Sequence, residues 1–149
     1  MKKEITNKYN QFESTLLNML LEGDITSLKI LRNQFINSKP TEREYSGCGT
    51  FTTISVSNKS ERIIKDNITY GDVYFELEGI KHGGGAVLFI ENGYLSMLEC
   101  YLNANDDWPE TIKPTKIFYD SNPRDLTYLK KLRNSLQLLI QQRILIQAL

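Results

Sequence analysis

The chain has 149 residues, of which 40% are apolar and 24% charged, and its formal net charge is zero. These values are typical of one globular domain with a single core, spanning residues 1–149, and they exclude a disordered, fibrous or disulfide-dense protein. Cys48 and Cys100 are the only cysteines, and their wide spacing predicts two reduced thiols. The sequence shows no signal peptide and no membrane span, which predicts a cytoplasmic protein that does not bind membranes.

The charged residues are unevenly distributed. Residues 1–70 carry 10 basic and 8 acidic side chains, residues 71–112 carry 1 and 8, and residues 113–149 carry 7 and 2. Such an acidic central part argues against direct contact with nucleic acid and favours a basic partner. The alternative is a solvated acidic face that the basic C-terminal part neutralises.

The N-terminal part has helical periodicity. Apolar residues recur every three or four positions from Ile5 to Leu20, which predicts a first helix that ends at Gly23. Asp24 is expected to cap a second helix, which Ser38-Lys39-Pro40 ends. The two helices form a predicted helical hairpin, and the polar segment after it reads as a linker.

A long last helix is predicted at the other end of the chain. Asn122-Pro123 is a good helix start, and leucines at three-residue and four-residue spacing form its buried stripe: Leu126, Leu129, Leu132, Leu136 and Leu139. From Leu138 onward, apolar residues spread around most of the helix. This pattern favours packing against the sheet and the first helix, and it leaves a homodimer as the alternative.

A β-hairpin is predicted at the centre of the chain. Asn92-Gly93 is suited to a type I′ turn, because both central residues must take positive φ. That turn sets Ile90 opposite Leu95 and, further along, Ala86 opposite Glu99, so that Glu99 points inward.

Three further strands are predicted around this hairpin: 47–57, 70–78 and a short one at 116–119. In the second of them, Val73, Phe75 and Leu77 alternate with outward acidic residues. The expected fold is α+β, with an N-terminal helical hairpin, an antiparallel sheet of four to five strands and a long C-terminal helix packed on the sheet.

The glycines of His82-Gly83-Gly84-Gly85 match an oxyanion-hole motif, but the chain has no nucleophile elbow and only one histidine. They are not a phosphate loop either, because a strand follows them, and we expect them to permit a bend or close backbone approach at the edge of the sheet. One histidine and two distant cysteines predict no metal site, and no cofactor is expected. Glu99 is expected to be a structural carboxylate partnered by Lys81, His82 or a backbone amide.

The hairpin and the loop after it carry a resemblance. The segments Gly84-Gly85-Ala86-Val87-Leu88-Phe89-Ile90, Asn92-Gly93-Tyr94-Leu95-Ser96-Met97-Leu98-Glu99 and Trp108-Pro109-Glu110 resemble those of small bacterial immunity proteins encoded beside polymorphic or contact-dependent growth-inhibition toxins. The resemblance covers residues 70–112 and brings no catalytic residues. Where such proteins often have glycine after the Leu-Glu pair, this chain has Cys100.

The resemblance implies a protein that binds and neutralises a cognate toxin domain. Together with the charge distribution it favours a nuclease toxin, whose basic cleft an acidic, tyrosine-bearing surface can occupy. The expected toxin-binding residues are Asp72, Tyr74, Glu76, Glu78, Tyr101, Asp106, Asp107, Trp108 and Glu110. Charge reversal at Asp106 and Asp107 is expected to remove protection.

Two other functions remain open from the sequence. The apolar end of the last helix would suit a small homodimeric adaptor without catalytic activity. An enzyme centred on His82 and Glu99 would require turnover that His82→Ala abolishes. The expectation from the residues is a protein that is not an enzyme.

Overall fold

One antiparallel sheet dominates the fold. A computed structural model of the chain describes residues 2–63, 67–132 and 135–148. In this part of the chain the strands are β1 (Lys2–Ile5), β2 (Lys39–Tyr45), β3 (Gly49–Ser55), β4 (Asn67–Leu77), β5 (Gly84–Glu91), β6 (Tyr94–Leu102) and β7 (Pro114–Tyr119). They pair in the order β1-β2-β3-β6-β5-β4-β7, and every pairing is antiparallel. The predicted sheet of four to five strands was wrong, because it lacked β1 and β2.

The helices are α1 (Gln11–Leu20), α2 (Thr26–Ile36), α3 (Thr127–Lys130) and α4 (Ser135–Ala148). α1 packs on β4, and α2 packs on β6 and α3, so that the predicted helical hairpin exists only loosely. The buried side chains of the helices and strands form one core cluster, which includes Leu16, Leu17, Leu20, Leu28, Leu31, Phe75, Leu88 and Leu98.

The first helix begins later than its apolar spacing predicts. The side chain of Asn10 accepts a hydrogen bond from the Glu13 N–H (2.8 Å), and the Glu13 carboxylate accepts one from the Asn10 N–H (2.9 Å). This capping box starts α1 after Asn10. Ile5, predicted as part of the helix, lies in edge strand β1 and is 80% exposed. The predicted cap of the second helix was also wrong, because Asp24 pairs with Lys29 (2.8 Å) and Ile25 holds the cap position.

Strand β2 was predicted as a linker because its sequence, KPTEREY, is polar. Within this strand, Arg43 points inward and is 5% exposed, directly opposite Thr52 of β3. A charged residue is acceptable there because the buried carboxylate of Glu13 neutralises it. Because the inward position holds a charged residue, the sequence of this strand lacks the alternation of apolar and polar residues by which a strand is predicted.

The central hairpin has the predicted turn and a different register. Asn92 and Gly93 both have positive φ (54° and 80°), and Ile90 faces Leu95 as expected. A bulge between Phe89 and Ile90 then shifts every later pair by one residue. Val87, and not Ala86, faces Glu99. The predicted inward orientation of Glu99 was therefore wrong.

Cys100 occupies the inward position that was expected for Glu99. It faces Ala86 and is 1% exposed, and burial raises the pKa of its thiol to about 12. Both cysteines are free thiols. A neutral thiol suits this site because it needs no charge partner in the core.

A buried glutamine fixes the hairpin turn to α2. The Gln34 amide donates hydrogen bonds to the carbonyls of Glu61 (2.9 Å) and Gly93 (3.0 Å), and its side-chain oxygen accepts one from the Leu95 N–H (2.9 Å). Gln34 is fully buried, so these three bonds replace its contacts with water. The turn is thereby held at a fixed position on the helical layer.

The last helix does not start at Asn122-Pro123 as predicted. Arg124 instead turns back to the sheet and donates two hydrogen bonds to the Asp72 carboxylate (2.7 and 3.0 Å) and one to the Leu20 carbonyl (3.3 Å). The chain becomes helical only at α3, where Leu129 reaches the core.

The prediction of a long helix packed on the sheet was also wrong. α4 is separate from α3, and its apolar side chains from residue 140 are between half and two-thirds exposed: Ile140, Ile144, Leu145 and Ile146. The side chains of Leu136, Leu138 and Leu139 lie outside the described residues. In the described ranges, no helix has the length and apolar character needed to span a membrane.

Candidate functional site on the open face of the sheet

The two faces of the sheet differ in what covers them. One face carries the buried leucines that pack against α1 and α2. On the opposite face, the alternate residues of the central strands are partly exposed, apart from the buried glycines Gly49 and Gly85. We call this second surface the open face, and define it by Phe51, Tyr74, Val87, Phe89, Met97, Glu99, Tyr101 and Phe118. It is an apolar and aromatic surface with one carboxylate at its centre.

A row of aromatic side chains crosses the open face. Tyr101 of β6 pairs with Gly85 of β5, Gly85 pairs with Tyr74 of β4, and Tyr74 pairs with Phe118 of β7. A Cβ atom at Gly85 would lie only 2.8 Å from Cζ of Tyr101, so the glycine makes room for the tyrosine ring. The expected close backbone approach occurs at Gly83 and Gly84, where an added Cβ would clash with the carbonyls of Phe75 and Tyr101, but the expected location at the sheet edge was wrong because β5 lies between β6 and β4. The rings of Tyr74 and Phe118 are stacked, with centroids 6.2 Å apart.

The two tyrosines of this row lie close enough to influence each other. Burial raises the pKa of Tyr101, and the neighbouring phenol of Tyr74 raises it further. Beyond them, the Lys116 ammonium lies 4.6 Å from the centroid of Phe118. Such rigid aromatic side chains, apolar in the ring and polar at the hydroxyl, are typical anchors of protein interfaces.

Glu99 lies in the middle of the open face. Phe51 and Val87 are its cross-strand neighbours, and Met97 and Tyr101 are two residues away on the same face of β6. Burial among these side chains raises the pKa of Glu99. Its carboxylate has no hydrogen bond or ion pair within the described residues. Of its predicted partners, His82 contacts Asp106 instead.

The raised pKa of Glu99 predicts how the stability changes with pH. The folded protein holds the proton more tightly than the unfolded chain, so native stability falls as the pH rises from the ordinary pKa of glutamate through the raised one. Glu99→Gln should therefore be more stable than wild type at neutral pH, and this advantage should disappear in acid. Urea unfolding from about pH 3 to about pH 7 measures it. A difference that did not vary with pH would contradict this description of Glu99.

Several predicted toxin-binding residues surround the end of the sheet that carries the aromatic row. Glu76 is exposed on the outer side of β4, and Glu78 follows that strand at 3.9 Å from Lys113. Asp107 and Glu110 are exposed on the loop after β6 and have no ion pair within the described ranges. The structure therefore brings Tyr74, Glu76 and Tyr101 together and places the acidic loop at the same end.

Asp106 and Asp72 are bound within the fold. The Asp106 carboxylate accepts hydrogen bonds from the backbone N–H of His82 (3.3 Å) and contacts its ring Nδ1 (3.2 Å). Asp72 is occupied by Arg124, and the two side chains of this ion pair are only 18% and 10% exposed. Both carboxylates hold loops in place, so they are less accessible to a partner than Asp107.

Trp108 is largely a core residue. Its ring centroid lies 6.5 Å from those of Phe12 and Phe75, and its backbone N–H donates a hydrogen bond to the Gly47 carbonyl (2.6 Å). Because Phe12 belongs to α1, Trp108 anchors the acidic loop on the helical side of the sheet. Trp108 was predicted to contact the toxin directly, but its packing indicates that it holds the loop in place.

A cavity of about 490 Å³ lies beside Trp108, at the start of α1. It contains a buried network that the sequence did not predict. Arg43 donates to Glu13 through Nε (2.8 Å) and Nη2 (2.6 Å), and the hydroxyl of Thr52 donates to the same carboxylate. The carboxylate of Glu13 also raises the pKa of Arg43. The two buried charges satisfy each other, so this network is a structural element.

The described residues include no group of three or more histidine, cysteine, aspartate or glutamate side chains that could hold a metal ion. The residues that carry the resemblance to immunity proteins form β5, β6 and part of the loop that follows. Comparisons of the chain with protein-family models, curated proteins and solved structures give no match.

Proposed function

We propose that this chain is a cytoplasmic immunity protein that binds and neutralises a cognate toxin domain of the nuclease type. Binding uses the acidic, tyrosine-bearing end of the open face and the loop after β6. The observation that supports this proposal is a set of carboxylates without ion pairs within the described residues. Glu76 and Glu99 lie two residues from Tyr74 and Tyr101 on the same strands, and Asp107 and Glu110 lie on the loop after β6.

The basic C-terminal part compensates this acidic surface only partly. It supplies Arg124 to Asp72 and Lys113 to Glu78, the second at 3.9 Å between two exposed side chains. The four carboxylates named above keep their negative charge available to a partner. If the basic C-terminal part neutralised this face, fewer carboxylates without ion pairs would remain.

Nuclease toxins bind a polyanion, so their active-site clefts are basic. An acidic inhibitor surface attracts such a cleft over a distance and raises the association rate, while buried aromatic side chains supply most of the affinity. The open face combines both properties. No turnover by the immunity protein is required, because occupying the cleft is sufficient for inhibition.

Survival on co-expression with the toxin domain encoded beside this protein tests the proposal. Wild-type protein should protect the cell, and Asp107→Lys should weaken protection and reduce the salt dependence of binding. Glu22→Lys is the matched control, because Glu22 is an exposed carboxylate in the connection between α1 and α2. Equal protection by Asp107→Lys and wild type, with binding that salt does not weaken, would reject the acidic-surface mechanism.

A homodimeric adaptor is the second candidate, and the exposed apolar side chains of α4 favour it. Sedimentation of the purified protein distinguishes the two functions. A tight dimer that Ile144→Glu dissociates, together with no effect of the acidic residues on partner capture, would support the adaptor. A monomer that binds the toxin domain would support the immunity function.

A further inference from the structure

The centre of the open face has a carboxylate in surroundings that do not suit a free charge. Glu99 is framed by Phe51 and Val87 across the strands and by Met97 and Tyr101 along its own strand. Cross-strand neighbours on one face have Cβ atoms about 4.5–5.5 Å apart, so Phe51 and Val87 lie directly beside Glu99, while Met97 and Tyr101 flank it along β6. We call this arrangement of five residues the Glu99 socket.

Two lysines on the same face, one at each edge of the sheet, are engaged by other groups. Lys3 pairs with Glu42 (3.6 Å) at the β1 edge, and Lys116 lies over the ring of Phe118 at the β7 edge. Neither forms an ion pair with Glu99. The charge of Glu99 is therefore uncompensated within the described residues, although burial already disfavours it.

We propose that the Glu99 socket receives one lysine or arginine side chain of the toxin domain. This inference rests on the proposed function and identifies the centre of its binding surface. A cation placed there would pair with the Glu99 carboxylate, and its alkyl stem would pack on Val87 and Met97. The rings of Phe51 and Tyr101 would add cation–π attraction. A neutral side chain would leave the carboxylate desolvated and unpaired, so the socket also discriminates against uncharged partners.

Calorimetric titration with a catalytically inactive variant of the neighbouring toxin domain is the test. Glu99→Gln retains the size of the side chain and removes its charge, and it should weaken binding by on the order of 30-fold or more. Glu91→Gln is the matched control, because Glu91 is an exposed residue at the end of β5 far from the aromatic row, and it should bind within about threefold of wild type. Circular dichroism of both variants verifies that they are folded.

The outcomes separate this inference from the function on which it rests. If wild type and Glu99→Gln bind the toxin domain equally well, the socket is rejected and the immunity function stands. If wild type does not bind the toxin domain, the immunity function fails. The cation preference of the socket is then tested by titrating the protein with N-acetyl-arginine methylamide or with its uncharged citrulline analogue. The shift of the Met97 methyl resonance measures binding of each compound. A saturable shift with the arginine compound only, lost in Glu99→Gln, supports the socket, and equal responses reject it.

A second copy of the chain is the competing occupant of the socket. If the Met97 resonance of the protein alone shifted with protein concentration, and Glu99→Gln removed that shift, the open face would be a self-association surface. That result would overturn the proposal.

Discussion

Replacing Glu13 by alanine is expected to lower the free energy of unfolding by about 3–5 kcal/mol, the largest loss of stability that we expect from one charged residue. Glu13 is 2% exposed and Arg43 5% exposed, and Glu13 joins α1 to β2 and β3 through Arg43 and Thr52. The alanine variant leaves the guanidinium buried and bonded only to Glu4 at its exposed side. Urea unfolding measured at neutral pH provides the free energy.

The double variant Glu13→Leu/Arg43→Met is the control for this prediction. It replaces both charges by apolar side chains of similar size, so it should recover most of the stability that the single variant loses. If Glu13→Ala unfolded within about 1 kcal/mol of wild type, the buried network would not be the link between the helical layer and the edge of the sheet that its geometry suggests.

Replacing Tyr101 by alanine is expected to weaken binding of the cognate toxin domain by at least about 2 kcal/mol, which is roughly 30-fold. Tyr101 begins the aromatic row at β6, and its ring lies over Gly85, which separates it from Tyr74. Its ring is held in place before binding, so little conformational entropy is lost when a partner covers it. Calorimetry with the inactive toxin domain measures the change.

Two further variants define the origin of this effect. Gly85→Ala changes no charge, but its Cβ would displace the Tyr101 ring, so binding should weaken although both tyrosines are present. Tyr128→Ala removes a half-exposed tyrosine on α3 and should bind like wild type. Equal losses in Tyr101→Ala and Tyr128→Ala would show that the aromatic row is not the anchor.

The sequence predicted the elements that local patterns determine. Asn92-Gly93 specified the hairpin turn, and the alternation of Val73, Phe75 and Leu77 identified an inward face on which all three are no more than 3% exposed. The strand at 116–119 was confirmed within β7. In each case, the residue types alone restrict the backbone or the orientation of the side chains.

The errors arose where a distant contact decides the structure. β2 is a strand because Arg43 finds Glu13 on a helix 30 residues away in the sequence, and no local pattern carries that information. The helix predicted at Asn122 is displaced because Arg124 binds Asp72, 52 residues away. Both are long-range charge pairs, which periodicity does not detect.

The candidate site was affected by a single bulge. Tyr74 and Glu76 point outward, as the alternation along the strand predicted, but the register shift at Phe89 moved Glu99, and with it Tyr101, from the inward face to the open face. A one-residue slip exchanges the two faces of a strand, so the residue expected to be structural lies at the centre of the proposed binding surface. Sequence patterns specify a bulge poorly, because the extra residue, here Ser96, fits either register.

The central claim is that the open face of the sheet binds the toxin domain, and methionine methyl resonances test it most directly. Met97 lies on the open face, whereas Met19 packs against the core on the helical side. In a titration of ¹³C-methyl-methionine protein with the inactive toxin domain, we expect the Met97 signal to shift and saturate at one equivalent while the Met19 signal stays unchanged. Binding that left Met97 unchanged, or an absence of binding, would contradict the account.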